Sequence, residues 1–414
     1  MSGVLKRGYA TAATDTGHEA DVEDATWAFK HPEKVIDFGF RAVHETTLNA
    51  KKLIQAFYER PPQRSYFDSC SDGGREALME AQRFPEDFDG ILAGAPANSW
   101  TSLLTGGAAA IRAMSVNPAA YISSTKIPAI SAAVLNACDA DDGVKDGIIS
   151  DPLRCRFDPD VLLCKTVESR SCLTAPQISL LKRLYAGATN SRGEQVFPGV
   201  LPGGEQGPGG WAPWILGEAP GQSSGGGFVT GYFRYMVFED PGWNPVTANL
   251  EDAQRQAETK TARALNATDP DLHRFHARGG KLILYHGWND PGIAPLNTVN
   301  YYKSVVAAVG AQNAQSFVRL YMVPGMQHCI GGPGPSFFGQ LGTTTAKGPE
   351  RGVYAALEEW VEKGRAPAEI IATKYDDAHK AVMTRPLCPY PQTAKYKGSG
   401  DTNDYTNFAC VANP

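Results

Sequence analysis

The residues best suited to chemistry form one short run, Ser69-Cys70-Ser71-Asp72-Gly73-Gly74. An apolar stretch ends at Cys70, and a helical pattern begins at Gly74. A serine at such a strand-to-helix turn is lifted above the sheet edge, provided small residues two before and two after it let the backbone pack closely. Gly73 meets the second requirement, and Ser69 stands at the first. The helix N-terminus behind Ser71 adds backbone N–H groups and the positive end of a dipole. The N–H of Asp72 is therefore the expected donor to an oxyanion formed near the Ser71 hydroxyl. An ordinary glycine-rich turn would look the same, so the serine must be judged by its partners.

A nucleophilic serine needs a base, and the base needs an orienting acid. Lys281–His286 reads as a strand running into a loop that carries Asp290, and Phe317–Val323 as the next strand, with His328 in the loop beyond. The chain order Ser71, Asp290, His328 is the one expected of a hydrolase built on a parallel sheet, with all three at the carboxyl ends of strands. Cys70 immediately precedes the serine and Cys329 immediately follows the histidine. A bridge between them would hold the two together, whereas catalysis by a Cys70 thiol is the lesser reading. His286 and Trp288 are expected to shape the loop around Asp290.

A second constellation, Asp139-Ala-Asp-Asp142-Gly-Val-Lys-Asp146-Gly-Ile148, lies between Cys138 and Cys155. Gly143 and Gly147 permit the chain to curl, so that the carboxylates of Asp139, Asp142 and Asp146 and the carbonyls of Val144 and Ile148 would suit calcium. A solvated acidic turn is the alternative. Cys164 and Cys172 lie eight residues apart, and Cys388 and Cys410 bracket the tail. Local pairs of this kind point to disulfides and an oxidising compartment, against the alternative of eight buried thiols. That compartment requires export, yet Met1–Gly8 contains no apolar signal region, which suggests an incomplete N-terminus.

The elements that must position these residues follow from short apolar runs at Gly8–Ala13, Arg64–Cys70, Asp89–Ala93, Lys281–His286 and Phe317–Val323. They read as parallel strands buried on both faces. Helical patterns cover Phe38–Tyr58, with Phe40, Val43, Leu48, Leu53, Ile54 and Phe57 as its apolar residues, then Gly74–Phe84 and Arg351–Lys363, which stops at Gly364. The alternation implies a doubly wound α/β sheet. Residues 100–275 break the rhythm and read as an inserted lid domain, leaving 1–99 and 276–414 as the core. Trp211, Trp214, Phe228, Tyr232, Phe233 and Tyr235 cluster in the insertion, either to stack an aromatic acyl group or as the lid's own core. The 414 residues suffice for a large core. A net charge of −5 leaves no footprint for nucleic acid or an anionic membrane surface. No apolar run approaches the ~18 residues of a membrane span.

Together these residues resemble the tannase/feruloyl esterase family over almost the whole chain. The resemblance is carried by Cys70-Ser71-Asp72-Gly73-Gly74, Ala81-Gln-Arg-Phe-Pro85, Asp89-Gly-Ile-Leu-Ala-Gly-Ala-Pro96, Cys138–Ile149, His286-Gly-Trp-Asn-Asp290, Pro324-Gly-Met-Gln-His328-Cys329 and Arg385-Pro-Leu-Cys-Pro-Tyr390. It implies an α/β-hydrolase fold with a lid, a structural lid calcium, and secreted-type hydrolysis of small esters of aromatic acids by Ser71, His328 and Asp290. It also implies the pairs Cys70–Cys329, Cys138–Cys155, Cys164–Cys172 and Cys388–Cys410. Ser69 departs from the family's usual Gly and is expected to strain the turn. Such proteins also begin with a further stretch of early strands and a glycine-rich oxyanion loop. Without it, Asp72 would be the single donor, and a slow or non-catalytic aromatic-ester binder is the alternative.

Overall fold

The computed structural model describes residues 2–343, 345, 348 and 351–412. Its central sheet has four parallel strands in the order β1 (Tyr66–Cys70), β2 (Gly90–Gly94), β3 (Lys281–Gly287) and β4 (Val318–Val323). Successive side chains point to opposite faces, and both faces are buried. Ile91, Ala93, Leu282, Leu284, Val318 and Leu320 pack on one side. Leu92, Ile283, Tyr285, Tyr321 and Val323 pack on the other. The first face is covered by α1 (Asp72–Arg83) and α2 (Pro295–Val309), through Leu78, Met79, Val299 and Val305. The second is covered by α3 (Val353–Lys363), through Val353, Leu357 and Trp360, and α3 stops at Gly364 in a left-handed conformation. Each such aliphatic side chain removed from water contributes about 1.5–3 kcal/mol. This is the α/β-hydrolase arrangement, with a strand, a turn and a helix around Ser71.

The N-terminal elements differ from the sequence reading. Gly8–Ala13 forms no strand, because no neighbouring strand supplies its ladder of hydrogen bonds. Tyr9 instead packs its ring edge-on against Tyr66 and Tyr354. The helix expected over Phe38–Tyr58 is interrupted by a π turn at Asp37–Arg41 before it runs through Ala42–Tyr58. Two contacts account for the turn. A Cβ on Gly39 would lie 2.4 Å from the carbonyl oxygen of Ala264. The guanidinium of Arg75, fully buried on α1, donates to the carbonyls of Gly39 and Phe38 at 2.6 and 2.9 Å. Beyond the turn, Val43 is buried, whereas Leu53 and Phe57 face outward.

Between β2 and β3 the chain adds no strand to the central sheet. It forms helices at Trp100–Val116, Ile127–Cys138, Ala175–Ala186 and Leu250–Leu265, with a short hairpin of Ala188–Thr189 and Gln195–Phe197. These build two apolar clusters of their own, one of which also takes in Ala28 and Val35 from before β1. The C-terminal region adds two antiparallel strand pairs, and Cys388–Cys410 fastens the second. Among the described residues no helix is long and apolar enough to cross a membrane.

Helix and sheet approach each other closely directly under the strand-to-helix turn. A Cβ on Gly74 would sit 2.2 Å from the Gly94 carbonyl oxygen and 3.0 Å from Pro96 Cα, both backbone atoms that cannot swing away. Gly74→Ala is therefore expected to destabilise the fold by about 1–3 kcal/mol, read from its urea midpoint. An unchanged midpoint would show that α1 does not pack this closely.

Candidate active site

Ser71 sits between β1 and α1 at φ 66° and ψ −121°, a backbone conformation that side chains with a Cβ rarely adopt. Its surroundings hold it there. The Ser71 N–H donates to Gly94 O at 2.9 Å, and its carbonyl accepts from Arg75 N and Ala97 N, both at 3.1 Å. The strain expected from Ser69 is relieved locally. The Ser69 hydroxyl occupies the space where a Cβ on residue 73 would stand, 1.9 Å from that position, so Gly73 is what lets a serine replace glycine two residues before the turn. Asp72 is the first residue of α1, so its N–H has no acceptor within the helix. Its carboxylate takes a 2.6 Å bond from Arg75 Nε.

The sheet brings Asp290 and His328 to this turn. His328 Nε2 lies 2.8 Å from Ser71 Oγ, and His328 Nδ1 lies 2.8 Å from Asp290 Oδ2. The disulfide Cys70–Cys329 joins the residues flanking Ser71 and His328, with their Cα atoms 6.1 Å apart across 259 residues of sequence. The other three bridges are Cys138–Cys155, Cys164–Cys172 and Cys388–Cys410, and no cysteine is left free.

Asp290 is buried at 1% exposure and is met by four donors. Oδ1 accepts from the N–H groups of Gly292 and Ile293 at 2.8 and 3.0 Å. Oδ2 takes His328 and, at 3.1 Å, His286 Nε2. Burial alone would raise this carboxyl, but the charge of His328 and the two imidazole hydrogen bonds override it and hold the group far below the usual carboxylate range. Burial likewise opposes a charge on His328, and the adjacent Asp290 wins, raising the imidazole above its ordinary value.

His286 does more than shape the loop. Its Nε2 faces two acceptors, Asp290 Oδ2 and Ile293 O, so that nitrogen must carry the proton. Its Nδ1 then accepts from Thr298 Oγ1 at 2.7 Å. Trp288 packs into the sheet core.

A cavity of about 740 Å³ opens over Ser71 and His328. The aromatic cluster singled out in the insertion divides around it. Trp214, Phe228 and Tyr232 line the cavity, whereas Trp211 and Phe233 are fully buried in the insertion's own clusters. Tyr235 meets Phe29 edge-on. Trp214 also stands edge-on to the His328 ring at 4.8 Å. The wall also carries His18 and Trp27, stacked at 3.9 Å, which no sequence pattern singles out. They lie in a stretch with no periodic pattern to announce them.

The acidic loop curls as its glycines allow, with Gly143 and Gly147 both at positive φ. Asp139 Oδ1 accepts the N–H groups of Asp146, Gly147 and Ile148. Asp142 accepts from Val144 N and Ser150 Oγ, and Asp146 Oδ2 pairs with Arg385 at 2.6 Å. Burial raises Asp142, and the like charges of Asp146 and Asp139 add to it. The donors are all oxygen, which fits a hard cation in type. Their carboxylate oxygens are nevertheless not gathered within 4.8 Å of one another, so the loop must tighten to coordinate one.

Comparison with known proteins agrees with this fold. A sequence profile described as tannase and feruloyl esterase matches residues 1–411. An uncharacterized esterase of Xanthomonas campestris is 44% identical over 99% of this chain and 76% of its own length. Mono(2-hydroxyethyl) terephthalate hydrolase of Piscinibacter sakaiensis is 34% identical over 100% of this chain and 76% of its own. The crystal structure of feruloyl esterase B from Aspergillus oryzae superimposes with a TM-score of 0.91 at 30% identity, covering 99% of this chain and 82% of that one.

The electrostatics of the site make a direct prediction. In 15N-histidine NMR titrations, His328 should titrate above the ordinary imidazole value of about 6.5 in the native chain and below it in Asp290→Asn, where burial acts unopposed. Because the folded value is raised, the His328 contribution to stability is complete below about pH 6.5 and is lost as pH rises through the folded value. An unshifted His328 in Asp290→Asn would remove Asp290 as the cause.

Proposed function

As the chain belongs to the tannase and feruloyl esterase family and is a carboxylic ester hydrolase, we propose that it hydrolyses monoesters of aromatic acids of the feruloyl, galloyl or terephthaloyl type through an acyl-enzyme on Ser71. The observation that carries this reading is the unbroken hydrogen-bonded chain Ser71–His328–Asp290, with both links at 2.8 Å. Ser71 Oγ attacks the ester carbonyl while His328 Nε2 takes its proton. The N–H of Asp72 donates to the oxyanion of the tetrahedral intermediate. His328 then returns the proton to the departing alcohol, and water repeats the sequence to release the acid. Asp290 keeps the imidazole in the tautomer that accepts from Ser71 and stabilises the imidazolium as it forms.

The aromatic preference is supported by the cavity wall, where Trp214, Phe228 and Trp27 offer flat apolar faces next to the hydroxyl. The names of the relatives agree with it. Four disulfides require an oxidising compartment, so the protein is proposed to work outside the cytoplasm.

Ser71→Ala should lower kcat on methyl ferulate, methyl gallate and mono(2-hydroxyethyl) terephthalate by about 10⁴-fold or more. The native chain should also be labelled at Ser71 by a fluorophosphonate, which reacts only with an activated serine. Turnover retained in the variant would place the nucleophile elsewhere, and an unlabelled native chain would favour a protein that binds aromatic esters without cleaving them.

The acidic loop is proposed to hold a structural calcium through the carboxylates of Asp139, Asp142 and Asp146 and the carbonyls of Val144 and Ile148. Three carboxylates within eight residues, met by the single Arg385 ion pair described above, support this. Chelation should lower the thermal midpoint by several degrees, with calcium restoring it and Asp142→Asn insensitive to both. Equal midpoints with and without chelator would leave the loop as an acidic turn.

A further inference from the structure

At the end of α1 remote from Ser71, three side chains that the hydrolytic reading does not use converge. Glu80 lies on the last turns of α1, Asp87 in the turn that follows, and His44 on the Ala42–Tyr58 helix. Each offers one ligand atom, and these atoms all lie within 4.8 Å of one another. That is about twice an ordinary metal–ligand bond of 2.0–2.4 Å, so one ion can touch all three with little movement.

Glu80 carries the argument. It is fully buried, and neither of its carboxylate oxygens has a hydrogen-bond partner. A buried carboxylate is ordinarily met by donors, as Asp290 is. Here the groups facing it are Asp87, itself 4% exposed, and the His44 imidazole. His44 Nδ1 lies 2.6 Å from Asp87 Oδ2, and the ring is stacked on Phe84 at 3.8 Å, which fixes its plane. Lys51 lies at the side, its ammonium 4.0 Å from Asp87 Oδ1 and donating to the Asp87 carbonyl.

We propose that His44, Glu80 and Asp87 form a second metal site, separate from the acidic loop, that takes a divalent transition-metal cation of the zinc type. One imidazole and two carboxylates, with water as the fourth ligand, suit zinc's four-coordinate preference. Calcium would need six to eight oxygens, more than these three side chains supply. His44, with its side chain 23% exposed, forms the rim through which the ion and its water enter. Such an ion would pin the Ala42–Tyr58 helix to the far end of the helix that begins at Ser71.

The test uses the full, disulfide-intact chain with calcium held in excess, so that the acidic loop does not compete for the titrant. Zinc chloride titrated calorimetrically should bind at one site per chain and raise the thermal midpoint. His44→Gln should weaken that binding about tenfold or more, and Glu80→Gln should abolish it. His44 lies at the rim, so its variant serves even where Glu80→Gln fails to fold. Anomalous diffraction at the zinc edge should place the ion between Glu80 and His44. Absence of zinc uptake, uptake unchanged in His44→Gln, or an ion found only elsewhere would overturn the proposal and leave a proton shared by Glu80 and Asp87 in its place.

Discussion

A carboxylate withdrawn from water in the middle of a protein must be compensated by its surroundings, and at Asp290 the compensation organises the site. Two of its donors are backbone N–H groups of its own loop, Gly292 and Ile293. The other two are imidazoles from different places, His286 at the end of β3 and His328 beyond β4. Meeting one buried charge therefore ties the ends of two adjacent strands together. It also orients the His328 ring, because a ring that gives Nδ1–H to Asp290 must turn Nε2 toward Ser71. His286, itself held by Thr298, keeps the second side of the carboxylate occupied and so fixes where the first side points.

Ser71 is held by a different principle. Its backbone conformation costs on the order of 1–3 kcal/mol, and strain of that size persists only where the surroundings over-determine it. Here they do. Gly94 receives its N–H, Arg75 and Ala97 donate to its carbonyl, and the disulfide through Cys70 fixes the residue before it to the residue after His328. Gly73 and Gly74 are required for separate reasons, the first to leave room for the Ser69 hydroxyl and the second to let α1 touch the β2 backbone. The serine's position is thus a property of strand, helix and bridge together.

The cavity above this rigid floor has a more varied origin. Its wall combines Trp214 and Phe228 of the insertion with His18 and Trp27 of the N-terminal region and Ile293 of the loop after β3. Trp214 touches both the cavity and the His328 ring, so the insertion that helps to wall the cavity also shields that imidazole from solvent on one side.

The sequence alone determined what depends on local rules. The strand-turn-helix context of Ser71, the loops just past strands that carry Asp290 and His328, and the buried apolar runs of β1 to β4 are short-range patterns, each legible within about ten residues. Gly8–Ala13 looked equally like a strand, because an apolar run records burial and β-propensity but cannot record whether a neighbouring strand is there to pair with. Leu53 and Phe57 misled in the same way, since periodicity marks a face without marking what covers it. Only the tertiary structure decided that His286 shares Asp290, which of the insertion's aromatics reach the cavity, that Trp27 joins them, and that Glu80 meets Asp87 and His44. These are contacts between segments distant in sequence, and their distances are set by how helices and sheet pack, which no local pattern encodes.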